Sequence, residues 1–103
     1  MIKSGVRLHG IRPELAIAYI IAVQIFTRHG VDAVITSCID GKHSIGSLHY
    51  AGCALDLRSR DIPEAKRPVV KAELAAALGD DFDVVLEKNH FHIELQPKHP
   101  YGV

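Results

Sequence analysis

The sequence predicts an α+β domain, a small antiparallel β-sheet with two helices, on three observations. Residues 15–26 are apolar at helical spacing. Residues 61–79 carry the start and stop signals of a second helix. The last third alternates apolar and polar residues with period two on both sides of a short turn, as a β-hairpin does.

The elements follow in chain order. The first helix begins at Pro13, a good first-turn residue, and stops before Gly30. Leu15, Tyr19, Ala22 and Phe26 form one apolar stripe, and Ile17, Ile20, Ile21 and Val23 extend it nearly all round, so this helix is expected to be the most buried element. Residues 31–37, VDAVITS, form a β-branched run expected as a strand leading into the loop CIDGKHSIGS. Residues 54–58 form a short strand with Ala54, Asp56 and Arg58 on one face and Leu55 and Leu57 on the other. In the second helix Asp61 and Glu64 stand at capping-box spacing, Pro63 falls in the first turn and Gly79 lies just past the end. Asp81 opens the hairpin of FDVVLEK and HFHIEL. Phe91, Ile93 and Leu95 then face the core and His90, His92 and Glu94 the other side, while a two-residue turn at Lys88 and Asn89 sets Glu87 opposite His90.

At 103 residues and 48% apolar content the chain, residues 1–103, is one domain with material for a single core. Twelve basic and twelve acidic side chains cancel, which removes the long-range pull that nucleic acid or an anionic membrane exerts on a basic protein. The apolar stretch 15–26 is shorter than the roughly 20 residues of a membrane span. Neither a nucleic-acid nor a membrane partner is expected, and the protein is expected to be a monomer. Cys38 and Cys53 form no paired metal-knuckle spacing and read as buried thiols.

Seven histidines are present, and three fall in SLHYAGCALDL and LEKNHFHIEL beside carboxylates. His49 and Asp56 come from the first segment and Glu87, His90 and His92 from the second. Neutral imidazole and carboxylate hold zinc while leaving a position open for water. Asp56 interrupts an apolar strand, and a carboxylate there needs a partner. Two histidines and one aspartate would leave zinc a net positive charge and a vacancy for water, whose pKa would fall toward about 7. Glu87 is the nearest candidate general base, and His90 is placed to donate to a developing oxyanion, a contact whose loss costs about a hundred- to thousand-fold in rate. His43 and Lys42 are expected on the substrate side, Lys42 as a point charge for a substrate carboxylate. Ser44 and Ser47 lack the strand-turn-helix setting of a nucleophilic serine.

SLHYAGCALDL resembles the SxHxxGxAxD signature of the zinc D-alanyl-D-alanine carboxypeptidase family of cell-wall peptidases, matching at Ser47, His49, Gly52, Ala54 and Asp56. HFHIEL resembles that family's second motif at His90, His92 and Glu94. DGKHSIGSLHYAGCALD is similar to the zinc-bearing region of the hedgehog signalling domain, which has a histidine at the position of His43. The resemblance implies helices packed on one side of the sheet, zinc held by His49, Asp56 and His92, and Ser47 on the substrate side. It also implies hydrolysis of a peptide bond in peptidoglycan stem peptides, as a carboxypeptidase or an endolysin-type endopeptidase. Many family members carry an Asp three residues before the last ligand, where this chain has Asn89, which cannot act as a base. Glu87 fits the variant with an upstream Glu. The hedgehog relation leaves a second reading open, a zinc-binding interaction module without catalysis. The N-terminal segment lacks the pattern of a secretory signal, so the chain is expected to be cytoplasmic as synthesised or phage-associated, acting at the cell wall after release.

Overall fold

The computed structural model describes residues 2–6, 13–39 and 54–96. Lys42, His43, Ser47, His49 and Cys53 lie outside the described residues. In chain order the elements are α1 (Pro13–Arg28), β1 (Ile35–Ile39), β2 (Ala54–Arg58), a 3-10 turn (Glu64–Lys66), α2 (Arg67–Leu78), β3 (Phe82–Leu86) and β4 (His90–Leu95). The strands form one antiparallel sheet in the order β1-β2-β4-β3, so the two central strands carry ALDLR and HFHIEL.

α1 ends in a Schellman motif. Gly30 at φ 77° turns the chain, its N–H bonding the carbonyl of Thr27 at 2.9 Å while that of Val31 bonds Phe26 at 3.1 Å. Leu15, Ala18, Ala22, Ile25 and Phe26 of α1 and Val70 and Leu74 of α2 join Leu55, Leu57, Phe91, Ile93 and Leu95 in one buried cluster. Both helices therefore lie on one face of the sheet. Phe26 meets Phe91 edge to face at 5.7 Å between ring centroids, linking α1 to β4.

Three expectations change. α1 is not the most buried element, because Ile17 and Ile20 are each 58% exposed; a helix resting on a single layer can cover only one of its sides. Residues 31–34 are irregular and the strand starts at Ile35. Ala33 and Val34 are buried without pairing as a strand, and the Val34 carbonyl instead accepts from the Arg58 N–H at 2.9 Å. The capping box does not form. Asp61 is drawn to Arg58, which donates to it at 2.9 Å and 2.6 Å, and the chain enters α2 through the 3-10 turn with Pro63 just before it and Pro68 in the first turn of α2.

The hairpin follows its sequence pattern. The Glu87 N–H bonds the His90 carbonyl at 2.8 Å, closing a two-residue turn, and β3 and β4 pair from Leu86↔Phe91 to Phe82↔Leu95. Cys38 is half-buried, not fully buried, and packs against the core.

Candidate metal centre

With the helices on one face of the sheet, the alternate residues of β2, β4 and β3 are left on the other, and pairing arranges them in rows. Arg58 pairs with His90, and Glu87 lies across the turn from His90; Asp56 pairs with His92, and His92 with Val85; Ala54 pairs with Glu94, and Glu94 with Asp83. Asp56 and His92 are thus nearest neighbours across two central strands, with Leu55, Leu57, Phe91 and Ile93 fully buried behind them. Antiparallel pairing leaves about 5 Å between opposed Cβ atoms, and the side chains close that gap.

His92 stands at the centre of a polar chain. Its Nδ1 lies 2.7 Å from Asp56 Oδ1 and its Nε2 3.1 Å from Glu94 Oε1, while Gln96 donates to Glu94 Oε2 at 2.6 Å. Ionised carboxylate oxygens only accept, so the protonated imidazolium satisfies both contacts at once. Burial works to lower the His92 pKa, but the hydrogen bonds to Glu94 and Asp56 and the charges behind them outweigh it and raise the pKa above its ordinary 6.5. Glu94 is held below the usual carboxylate range, first by the Gln96 hydrogen bond and then by His92. The Asp56 side chain is only 19% exposed.

His90 completes the group. Its Nε2 approaches Asp56 Oδ1 at 3.7 Å, and its Nδ1 sits 2.6 Å from Asn89 Oδ1. One ligand atom each from Asp56, His90 and His92 lie within 4.8 Å of one another, close enough to hold a metal ion. The donor types, two imidazoles and a carboxylate, are ones that divalent transition ions, zinc among them, take as ligands.

Of the residues singled out in the sequence, the structure brings Asp56, His90 and His92 together and sets Glu87, which is exposed, across the turn from His90. His49, the third ligand implied by the resemblance, and the substrate-side residues Lys42, His43 and Ser47 fall outside the described residues. Sequence reasoning placed Glu94 on the correct face but gave it no partner. Its bond to His92 is an i, i+2 contact along one strand face, and Gln96 continues the same spacing. Arg58, in the row of His90, is held to Asp61 and lines an open depression with Gly30, Val31 and Asp32 at that end of the sheet. Among the described residues no helix is long and apolar enough to cross a membrane. No protein-family model matches the chain, and no solved structure matches it.

Proposed function

We propose that the protein is a zinc-dependent metallopeptidase that hydrolyses a peptide bond in peptidoglycan stem peptides. The observation that carries the reading is the convergence of Asp56, His90 and His92 on the face of the sheet turned away from the core. The two motif segments, SLHYAGCALDL and HFHIEL, supply the class of reaction by their resemblance to cell-wall peptidases. Asp56 and His92 hold the ion, with His49 as the third ligand in the family's pattern. Bound zinc supplies a Lewis acid and an activated water at neutral pH.

The chain's own groups would do the rest. Glu87 takes a proton from the attacking water and returns it to the leaving amine, so that water is added across the C–N bond to give a carboxylic acid and an amine. His90 steadies charge on the carbonyl oxygen. Lys42, His43 and Ser47 meet the substrate, and Lys42 answers its carboxylate. The setting is the cell wall, reached after release of the chain from a cell or phage particle.

A second reading has a specific observation behind it. Asn89 occupies the position where many relatives by motif carry a carboxylate base, and this favours a zinc-binding interaction module that does no chemistry. Incubating purified, zinc-loaded protein with muropeptides and following their mass separates the two. The peptidase reading expects about one equivalent of zinc, a mass change of the substrate, and loss of that change in Glu87→Gln with the zinc retained. One equivalent of zinc with intact muropeptides, and no difference on Glu87→Gln, leaves the module.

A further inference from the structure

We propose that Asn89 is a positioning residue for the metal centre: its side-chain carbonyl holds the proton of His90 on Nδ1, so that Nε2 turns its lone pair toward the ion shared by Asp56 and His92. The inference rests on the metal-site reading given above. It deepens that reading by making His90 a ligand, and it replaces the oxyanion role given to His90 there, since a ring bound through Nε2 with its proton held on Nδ1 has none to donate to the carbonyl oxygen.

The atoms decide the direction of the bond. Asn89 Oδ1 lies 2.6 Å from His90 Nδ1, and an amide oxygen has no proton to give, so the ring nitrogen is the donor. A neutral imidazole carries one N–H, and with that proton on Nδ1 its Nε2 can accept but not donate. Nε2 is the atom that faces Asp56, at 3.7 Å. That distance exceeds the roughly 2.7–3.2 Å of a hydrogen bond. It is close to the spacing of two donors on one ion, since ligand bonds of about 2.0–2.1 Å at a tetrahedral centre put the donor atoms about 3.4 Å apart. His92 Nδ1, at 2.7 Å from the same oxygen, sits at proton-sharing distance instead. An arriving ion would have to open the His92 contact, whereas the His90 contact already stands near ligand spacing.

The usual reason for an asparagine in a hairpin turn does not apply. Type I′ turns select Asn because their central residues need positive φ, yet among the described residues only glycines have positive φ. The backbone of Asn89 is fixed in another way, its carbonyl accepting from the Ser59 N–H at 3.3 Å. The side chain is therefore not required by the turn, and its Oδ1 is bonded to the ring of His90. Histidine ligands in metal sites commonly have their second nitrogen fixed by such an acceptor, and losing it weakens metal binding about ten- to a hundred-fold.

The test uses the full chain with Asn89→Ala, Asn89→Asp, His90→Ala and the double variant Asn89→Ala/His90→Ala. Cobalt(II) titration followed by visible absorption, with zinc competition, reads the affinity, and nitrogen-resolved NMR of the metal-free protein reads the His90 tautomer. The expected result is a ten- to hundred-fold weaker affinity in Asn89→Ala, recovery in Asn89→Asp, which keeps an acceptor in place, and no further loss when Asn89→Ala is added to His90→Ala. The His90 ring should carry its proton on Nδ1 in the unaltered protein and lose that preference in Asn89→Ala. An affinity of Asn89→Ala within about twofold of the unaltered chain, or a proton resident on Nε2, overturns the inference and leaves the metal site standing. Failure of the unaltered chain to take up cobalt or zinc overturns both, and the two failures are told apart by that single titration.

Discussion

The two faces of β4 obey different physics although they alternate residue by residue. Phe91, Ile93 and Leu95 are buried with the helices, and their neighbours His90, His92 and Glu94 are about a quarter exposed and each bonded to a polar side chain. Burial of apolar surface has no direction, so the first face tolerates any set of side chains of suitable volume. The second face is directional. Each contact joins one named atom to another, and removing a partner leaves a polar group with nothing to bond. Apolar packing and directional polar bonding are thereby divided between opposite sides of one strand, and substitutions on the two sides should differ in what they cost.

The largest effect expected from that division is on the core face. Phe91→Ala removes a ring that is fully buried against Phe26 and should lower stability by about 3–5 kcal/mol in chemical denaturation. A loss below about 1 kcal/mol would show that the core is far more loosely filled than the packing implies. On the polar face Asp56→Ala should abolish stoichiometric zinc uptake while circular dichroism of the metal-free chain stays unchanged. Its effect on metal-free stability should be smaller, about 1–3 kcal/mol, because His92 loses one of its two acceptors. Equal destabilisation by the two variants would erase the contrast between the faces.

How far each face could be read beforehand follows from the same distinction. Period two in HFHIEL and ALDLR was enough to sort Phe91, Ile93, Leu95, Leu55 and Leu57 from His90, His92 and Asp56, and the two-residue turn then fixed Glu87 across from His90. Strand parity says nothing about which nitrogen meets which oxygen, and so the bonds from His92 to Glu94 and from His90 to Asn89 were not readable. A local signal failed where another partner close in sequence competed. Asp61 has the spacing of a cap, but Arg58 at the end of β2 takes its carboxylate, and α2 starts without a side-chain cap. The apolar circumference of α1 was visible, but not that the sheet would cover only part of it.

Between the helices, on the core side, one polar contact gives a smaller effect. His29 Nε2 and Glu73 Oε1 are 2.6 Å apart and join the residue just past α1 to the middle of α2. Glu73 is more than a third exposed, so water screens the pair. Glu73→Gln should cost at most about 1 kcal/mol and leave zinc affinity unaltered. A larger loss would mean that the helix layer depends on polar contacts as much as the opposite face of the sheet does.

The finest expected effect is a pH dependence carried by the His92–Glu94 pair in metal-free protein. His92 titrates higher in the folded chain than its ordinary 6.5, so near and above that value the folded state binds more protons than the unfolded one. Its contribution is complete below about pH 6.5 and disappears as pH rises through the folded pKa. Glu94 has the opposite shift from its ordinary 4.5, so its contribution is complete above that value and disappears as pH falls through its depressed folded pKa. Both are fully present only between 4.5 and 6.5, where the pair's contribution to metal-free stability should peak. On the proposed metal-site reading zinc should reverse the alkaline side, because the ion would have to displace a proton from His92 and so would bind more tightly as pH rises. Denaturation midpoints measured across pH with chelator and with saturating zinc should therefore diverge above pH 6.5, falling in the first series and holding or rising in the second. Parallel curves, or the same alkaline fall after Glu94→Gln, would show that His92 is not the proton-binding centre of this face.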